Sequence, residues 1–207
     1  MEKDKTEEMM EAIKGKEDVK KILSENEKKN EKRSTVRLAK MGLLVAISVV
    51  LVYFVHFPIV PAVAFLEYDP ADISIIIGTF AFGPLAGIIL TVVTSLIQGL
   101  TFSAASGLYG IIMHIIATGT FVLVAGNIYR VKKSKKGAII ALVAGTVSMA
   151  IIMVFANLVI TPMFMGVPRG VVWNLMPFII AFNAIKAGIN SIVTFFLYKR
   201  ISGFLHK

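Results

Sequence analysis

Six apolar runs follow one another between residues 36 and 200, and they restrict the possible folds more than any other feature. They cover residues 36–56, 71–82, 84–102, 107–129, 137–162 and 172–200. An α-helix needs about 20 apolar residues to cross a bilayer, and most of these runs are close to that length or longer. Backbone groups in hydrocarbon must be hydrogen-bonded within the protein, which favours helices. The pattern predicts an all-α membrane protein.

The basic residues indicate membrane topology rather than nucleic-acid binding. The net charge is +9, but 12 of the 22 Lys and Arg residues lie within residues 1–40, mixed with ten of the 13 acidic residues. Most of the others flank apolar runs, at residues 130–136 and 199–207. A nucleic-acid site would need a continuous basic patch. Basic flanks instead mark the cytoplasmic ends of transmembrane helices.

The Gly83-Pro84 dipeptide decides how many spans there are. If residues 71–102 formed one kinked helix, the basic loop at 130–136 would face the side opposite to the basic N-terminal flank. Two short helices joined by a tight turn place every basic cluster on the cytoplasmic side. The prediction is six transmembrane helices with both termini cytoplasmic. The second span covers only ~18 Å, so we expect neighbouring helices to shelter it and expect it to line a cavity.

Residues 1–35 differ in character from the rest of the chain, because they are rich in both acidic and basic residues. The segment resembles neither a signal peptide nor a transmembrane helix. One interpretation is a cytoplasmic extension that is disordered or marginally helical, and the other is a helix lying on the membrane or on a partner. Residues 36–207 then form the membrane domain.

Lys186 lies deep in the last apolar run, too far from the basic end at Lys199 for its ammonium to reach the interface easily. A buried ammonium is costly unless other groups satisfy it. Asn183, Asn190 and Thr194 lie at helical spacing on the same face, and we expect them to satisfy it. This polar stripe predicts the wall of a binding site.

The loop before the second span combines prolines with aromatic residues. Asp69, Pro70 and Asp72 form a helix-start pattern, with a capping carboxylate, proline at the first helical position and an acid in the first turn. Glu67 has no capping role. The loop is therefore either a simple helix start or an ordered lid over an outward-facing cavity.

Small residues four apart let helices approach closely. This spacing occurs at Gly137, Ala141 and Gly145, and at Gly83 and Gly87, where packing within the bundle is the interpretation. It also occurs at Gly42 and Ala46 in the first span, where two interpretations remain open. One is packing within the bundle, and the other is docking to another membrane subunit.

Several function classes fit the sequence poorly. A hydrolase would pair His114 with a nucleophile or carboxylate, but Ser106 lies in no nucleophile motif and no acidic residue follows Asp72 in the spans. The same lack of acids argues against an ion-coupled secondary transporter, which stays an alternative. The chain has no Walker motif, which excludes ATP hydrolysis by this polypeptide. It has no cysteine, which excludes a metal site with cysteine ligands. We expect no metal or cofactor.

Several motifs resemble the substrate-binding S components of energy-coupling factor (ECF) vitamin transporters over Arg37 to Lys207. They are Phe57-Pro58-Ile59, the Asp69 to Asp72 helix start, Phe82-Gly83-Pro84-Leu85-Ala86-Gly87, Asn157 before Thr161-Pro162, and Phe182-Asn183-Ala184-Ile185-Lys186-Ala187. The Phe-Gly-Pro turn is common to many S components. Asn157 together with the Asn183 and Lys186 pair makes the chain most similar to the riboflavin-specific members, and another vitamin is the alternative.

The resemblance implies a protein of the bacterial cell membrane that binds riboflavin at its outer face. It implies a complex with a transmembrane coupling subunit and two cytoplasmic ATPases, to which Gly42 and Ala46 would dock. It also implies that Asn157, Asn183 and Lys186 contact the vitamin. At the position of His114 the resemblance implies an asparagine, so this chain departs from the family pattern there. Further candidates from side-chain chemistry are Glu67, Thr91, Gln98 and His114, and the last three could equally form helix-to-helix hydrogen bonds.

Overall fold

The fold is an α-helical bundle, as the apolar runs predict. The structure, a computed structural model, describes the backbone of residues 2–205 and the side chains of residue 20 and residues 23–201. This part of the chain forms six α-helices: α1 (Glu2–Phe54), α2 (Ala71–Phe82), α3 (Pro84–Leu100), α4 (Gly107–Val131), α5 (Lys135–Met165) and α6 (Arg169–Leu205). The chain divides into two compact units, residues 1–40 and 41–207. The packing of α2 to α6 lies within the second unit.

Within the part of the chain that the structure describes, four helical stretches are long and apolar enough to cross a membrane. They are Leu23–Phe54, Ala104–Val131, Lys135–Met165 and Arg169–Ile201, and α2 and α3 are shorter apolar helices. The prediction of an α-helical protein with helices able to span a membrane is confirmed.

The junction between α2 and α3 is a tight turn. Gly83 has φ +95°, a conformation that glycine adopts without strain, and α3 begins at Pro84. The predicted interpretation of Gly83-Pro84 as a turn between two helices is confirmed. The predicted packing role of Gly83 is wrong, because an added Cβ there would have no atom within 4 Å.

Neighbouring helices shelter the short helix α2, as its length predicts. Every residue from Ala71 to Phe80 is buried. A Cβ added at Gly87 would overlap Thr79 Oγ1, so α2 and α3 approach closely there. A Cβ at Gly145 would lie 3.0 Å from the ring of Phe121, which confirms its packing role. At Gly137 a Cβ would overlap the carbonyl oxygen of Lys132, so that glycine fits the preceding loop rather than another helix.

The segment between α1 and α2 is ordered by pairing and by packing. Its two-residue strands, β1 (Phe57–Pro58) and β2 (Glu67–Tyr68), pair antiparallel. A 3₁₀ turn at Pro61–Val63 lies between them, and Val63 is fully buried in a cluster with Val172 and Ile179 of α6. The loop is therefore fixed against the beginning of α6, which supports the lid interpretation.

Candidate functional site

Lys186 forms the central ion pair of the site. Its Nζ donates to Asp69 Oδ2 at 2.6 Å, and the residue is only 7% exposed. The predicted burial of this ammonium is confirmed. The expectation that its own helix face satisfies it is wrong, because the counterion comes from the segment before α2. Two opposite charges at this distance compensate much of the cost of burial that either would bear alone.

Asp69 joins the ion pair to the start of α2. Its Oδ1 accepts a hydrogen bond from the backbone N–H of Ala71 at 3.1 Å, while its Oδ2 accepts from Lys186. The predicted contact of Asp69 with the first amides of the helix is therefore confirmed. The helix itself begins at Ala71, one residue later than predicted, so Pro70 precedes its first turn.

Asp72 is a buried acceptor for three side chains on two other helices. It accepts from Thr118 Oγ1 at 2.7 Å and from His114 Nε2 at 3.2 Å on α4, and from Asn190 Nδ2 at 3.2 Å on α6. A carboxylate that is 4% exposed needs such donors to stay charged. Asp72 thereby fixes α2, α4 and α6 below the site.

Asn190 connects the two aspartates. Its Nδ2 also lies 3.3 Å from the backbone oxygen of Asp69, and its Oδ1 accepts from the hydroxyl of Tyr68 at 3.0 Å. Burial and the neighbouring Asp69 carboxylate raise the pKa of the Tyr68 hydroxyl above its usual value, so it stays protonated as a donor. Asn190 therefore has a structural role, although it lies on the predicted polar stripe.

A cavity of about 850 Å³, counting its part open to solvent, lies among five helices and the segment that joins α1 to α2, residues 55–70, which we call the lid. The five helices are α1, α3, α4, α5 and α6. Among its polar lining residues are Glu67, Asp69, Ser95, Gln98, His114, Asn183 and Lys186. Its apolar lining includes Phe65, Leu66, Ile111, Met113, Met149, Met153 and Phe182. The cavity combines an apolar surface with a few fixed polar groups.

Five predicted residues line this cavity: Glu67, Gln98, His114, Asn183 and Lys186. Gln98 Nε2 is buried and has no hydrogen-bond partner among the described residues. Asn183 Nδ2 donates to the backbone oxygen of Ile179 at 2.8 Å, which leaves its amide oxygen as an acceptor. A buried unpaired donor is costly, so Gln98 is a candidate for contact with a ligand acceptor.

His114 lines the cavity, but the protein already uses both of its ring nitrogens. Nδ1 lies 2.9 Å from Ser95 Oγ, and Nε2 lies 3.2 Å from Asp72 Oδ1. His114 therefore forms helix-to-helix hydrogen bonds, as one of its two interpretations predicts. The ring borders the cavity while it orients Asp72.

Thr91 and Asn157 do not line the cavity. Both are fully buried, and their side chains bond within their own helices. Thr91 Oγ1 donates to the backbone oxygen of Gly87 at 2.8 Å. Asn157 Nδ2 donates to that of Met153 at 2.7 Å, and Asn157 Oδ1 accepts from Thr161 at 2.8 Å. Short polar side chains on a helix often bond to the preceding turn, and sequence spacing does not show this.

Asp69 and Ser95 are two polar cavity residues that were not among the predicted ligand contacts. A signal for Asp69 was present, because residues 41–207 contain only the acids Glu67, Asp69 and Asp72. A lone lysine in an apolar helix requires a partner, and these three were the available counterions. No comparable signal existed for Ser95.

Gly42 and Ala46 lie on an exposed face of α1. The residues of α1 that pack into the bundle are Met41, Leu44, Ser48 and Val52. A Cβ added at Gly42 would meet no atom within 4 Å, and Ala46 is exposed. Packing within the bundle is therefore not the role of this pair.

The described residues contain no group of three or more His, Cys, Asp or Glu side chains that could hold a metal ion.

Comparison with known proteins gives one consistent result. The family model described as "ECF transporter, substrate-specific component" matches residues 36–198. The riboflavin transporter RibU of Staphylococcus aureus (strain TCH60) is 33% identical over 183 residues, which cover 83% of this chain and 93% of that protein. The riboflavin transporter RibU of Streptococcus thermophilus (strain ATCC BAA-250 / LMG 18311) is 26% identical over 183 residues, which cover 84% and 86%.

A solved structure has the same fold. It is described as "Structure and mechanism of the S component of a bacterial ECF transporter", and it is 34% identical to this chain with a TM-score of 0.72. The match covers 84% of this chain and 99% of that one. The similarity therefore extends over the helical bundle and is not confined to single motifs.

Proposed function

This chain belongs to the substrate-specific component family of ECF transporters, and from that membership we propose that it binds riboflavin for import into a bacterial cell. It is a multi-pass bacterial membrane protein and a transport component rather than an enzyme. The observation that carries the choice of ligand is the cavity, in which an apolar lining surrounds Gln98, Asn183 and Lys186.

The chemistry of riboflavin suits these groups. Its ring system is flat and largely apolar, its edge has carbonyls and an imide N–H, and its tail has hydroxyls. Gln98 Nε2 and Lys186 Nζ are donors for carbonyl or hydroxyl oxygens, and Asn183 Oδ1 is an acceptor for an N–H or O–H. Glu67 at the lid is a further acceptor. Asn157 and Thr91 are fully buried and do not line the cavity, so they would contact the ligand only if the packing of α5 and α3 changed.

Equilibrium titration with a panel of vitamins tests this proposal. The purified protein in detergent should bind riboflavin most tightly and should be yellow if the flavin is retained during purification. Tighter binding of another vitamin would assign the chain to a different S-component specificity. Binding of none of them would contradict the role as a vitamin-binding subunit.

Asn183→Ala should weaken riboflavin binding by about 1–3 kcal/mol, because a polar atom of the ligand would stay unpaired in a largely dry site. Titration of the variant beside wild type measures the change. Asn127→Ala is the matched control, since Asn127 is exposed and bonds within its own helix, with Nδ2 donating to the backbone oxygen of Leu123 at 2.8 Å. If Asn183→Ala bound riboflavin as tightly as the control variant, Asn183 would not be a ligand contact.

We further propose six membrane spans with both termini cytoplasmic. The turn at Gly83 and the complete burial of Ala71 to Phe80 support two short spans in place of one. The chain has no cysteine, so a single cysteine introduced at Ser134 or Arg169 allows labelling from either side of the membrane. Labelling of both positions from the same side would contradict this topology.

Residues 1–35 form, in this proposal, a cytoplasmic extension outside the substrate-binding domain of residues 36–207. Removing residues 2–34 should leave riboflavin affinity unchanged within about twofold, since every cavity residue lies at or beyond Val52. The same titration measures the effect. A large loss of affinity in a correctly folded truncated protein would show that the extension reaches the site.

The partners proposed are a transmembrane coupling subunit and two cytoplasmic ATPases. The chain has no Walker motif, so the energy for import has to come from other subunits. The exposed small residues Gly42 and Ala46 allow close approach of another helix to α1.

A further inference from the structure

Another polar cavity, of about 570 Å³ counting its part open to solvent, lies where α4 ends, α5 begins and α6 nears its end. It shares no lining residue with the riboflavin cavity. Its lining residues are Tyr129, Lys133, Ser134, Lys135, Tyr198 and Lys199. We call it the basic cavity. It presents three ammonium groups and three hydroxyls, which are donors suited to a phosphate group.

The lysines of the basic cavity have no acidic partner among the described residues. The ion pairs of His114 with Asp72 and of Lys186 with Asp69 do not involve these lysines. The acids of residues 41–207 are all in the segment from Glu67 to Asp72, which belongs to the other site. The positive charge of the basic cavity is thus uncompensated within the membrane domain.

An apolar groove between α5 and α6 begins next to the basic cavity. Ile139, Val143 and Val147 line it on α5, and Gly188, Ile192 and Phe196 line it on α6. Ile139 lies one helical turn after Lys135, and Phe195, also in the groove, lies one turn before Lys199. The rings of Phe195 and Tyr198 are 6.1 Å apart, so the groove wall meets the wall of the basic cavity.

The floor of the groove exposes little polarity. Thr146 and Ser191 also line it, but their hydroxyls lie 3.1 Å apart and bond to each other. These two hydroxyls therefore have a hydrogen-bond partner within the protein. The groove, of about 960 Å³ counting its part open to solvent, is left to apolar contacts.

We propose that the basic cavity and the groove together bind one anionic phospholipid. The headgroup phosphate lies among Lys133, Lys135 and Lys199, and an acyl chain lies along the groove past Gly188. Basic pockets between membrane helices suit anionic headgroups, and the adjoining apolar groove requires an occupant with a hydrocarbon chain. The combination selects a phospholipid over a free phosphate, which would not use the groove. It also selects a phospholipid over a partner helix, which would not need the lysines.

The test uses the full chain purified in detergent and compares the bound fraction of three probes by native mass spectrometry. The probes are phosphatidylglycerol, phosphatidylcholine of the same acyl chains, and inorganic phosphate. We expect phosphatidylglycerol to be retained about tenfold more than phosphatidylcholine, because the lysines favour its net negative charge. Inorganic phosphate should neither bind nor displace the lipid.

Two variants separate the headgroup contact from the chain contact. Lys133→Gln with Lys199→Gln should lower retention of phosphatidylglycerol to the level of phosphatidylcholine. Gly188→Leu should lower retention of both lipids, since a Cβ at Gly188 meets no atom within 4 Å and a leucine there would fill the groove. Riboflavin titration of each variant checks that the bundle is folded.

Lys132→Gln with Lys136→Gln is the matched control. It also removes two positive charges, from the start of the α4–α5 loop and the start of α5, but neither lysine lines the basic cavity or the groove. Its retention of phosphatidylglycerol should equal that of wild type. Equal loss in both double variants would show general attraction to a basic surface and overturn the proposal. Three other results would also overturn the proposal. They are equal retention of the two lipids by wild type, phosphate binding that competes with the lipid, and unchanged lipid retention in Gly188→Leu.

Discussion

Replacing Lys186 with methionine is expected to lower the free energy of unfolding by about 3 kcal/mol, the low end of the range for breaking a buried ion pair. The Asp69 side chain, which is only 15% exposed, would lose the ammonium 2.6 Å away that compensates its burial. Methionine has nearly the same length as lysine, so the change removes charge with little loss of volume. Unfolding of the purified protein by denaturing detergent, followed by circular dichroism, measures the effect.

The double variant Lys186→Met with Asp69→Asn is the control. It removes both charges and keeps the size of both side chains, so most of the lost stability should return. Riboflavin affinity should not return, because the double variant still lacks the Lys186 donor, and we expect it to stay about 5- to 150-fold below wild type. If the double variant were as unstable as Lys186→Met alone, the ion pair would not be the source of the effect.

Gly42→Leu with Ala46→Leu is expected to abolish riboflavin uptake by cells while riboflavin binding by the isolated protein is retained. Both positions lie on the exposed face of α1, and neither lines the riboflavin cavity. Two leucines there would prevent the close helix approach that small residues permit. Uptake of labelled riboflavin, titration of the purified variant and co-purification with the coupling subunit measure the three effects.

Ala181→Leu with Ala184→Leu adds comparable bulk to exposed positions of α6 and serves as the control for insertion and folding. We expect it to bind and import riboflavin as wild type does. If the Gly42 and Ala46 variant lost vitamin binding but kept its complex with the coupling subunit, docking through this face would be ruled out. Docking through this face would also be contradicted if the Gly42 and Ala46 variant imported as much riboflavin as the Ala181 and Ala184 variant.

The sequence alone was sufficient for the features that depend on neighbouring residues. The length and composition of the apolar runs determine a helical membrane protein, since a chain in hydrocarbon has to satisfy its backbone within each helix. Gly83-Pro84 determines a turn, because glycine adopts the required φ and proline begins the next helix. The depth of Lys186 in an apolar run determines a buried cation. The motifs around Asn183 and Lys186 were sufficient to identify the family.

The tertiary structure decided which polar groups meet. Lys186 and Asp69 are 117 positions apart, and Asp72 contacts residues 42, 46 and 118 positions away. Helical periodicity gives the face on which a side chain lies, but not the rotation of one helix against another, which depends on how the whole bundle packs. The same limit applies to Asn157 and Asn183. Both are asparagines in apolar helices and both bond to the preceding turn, yet the packing of α5 and α6 leaves only Asn183 at the cavity.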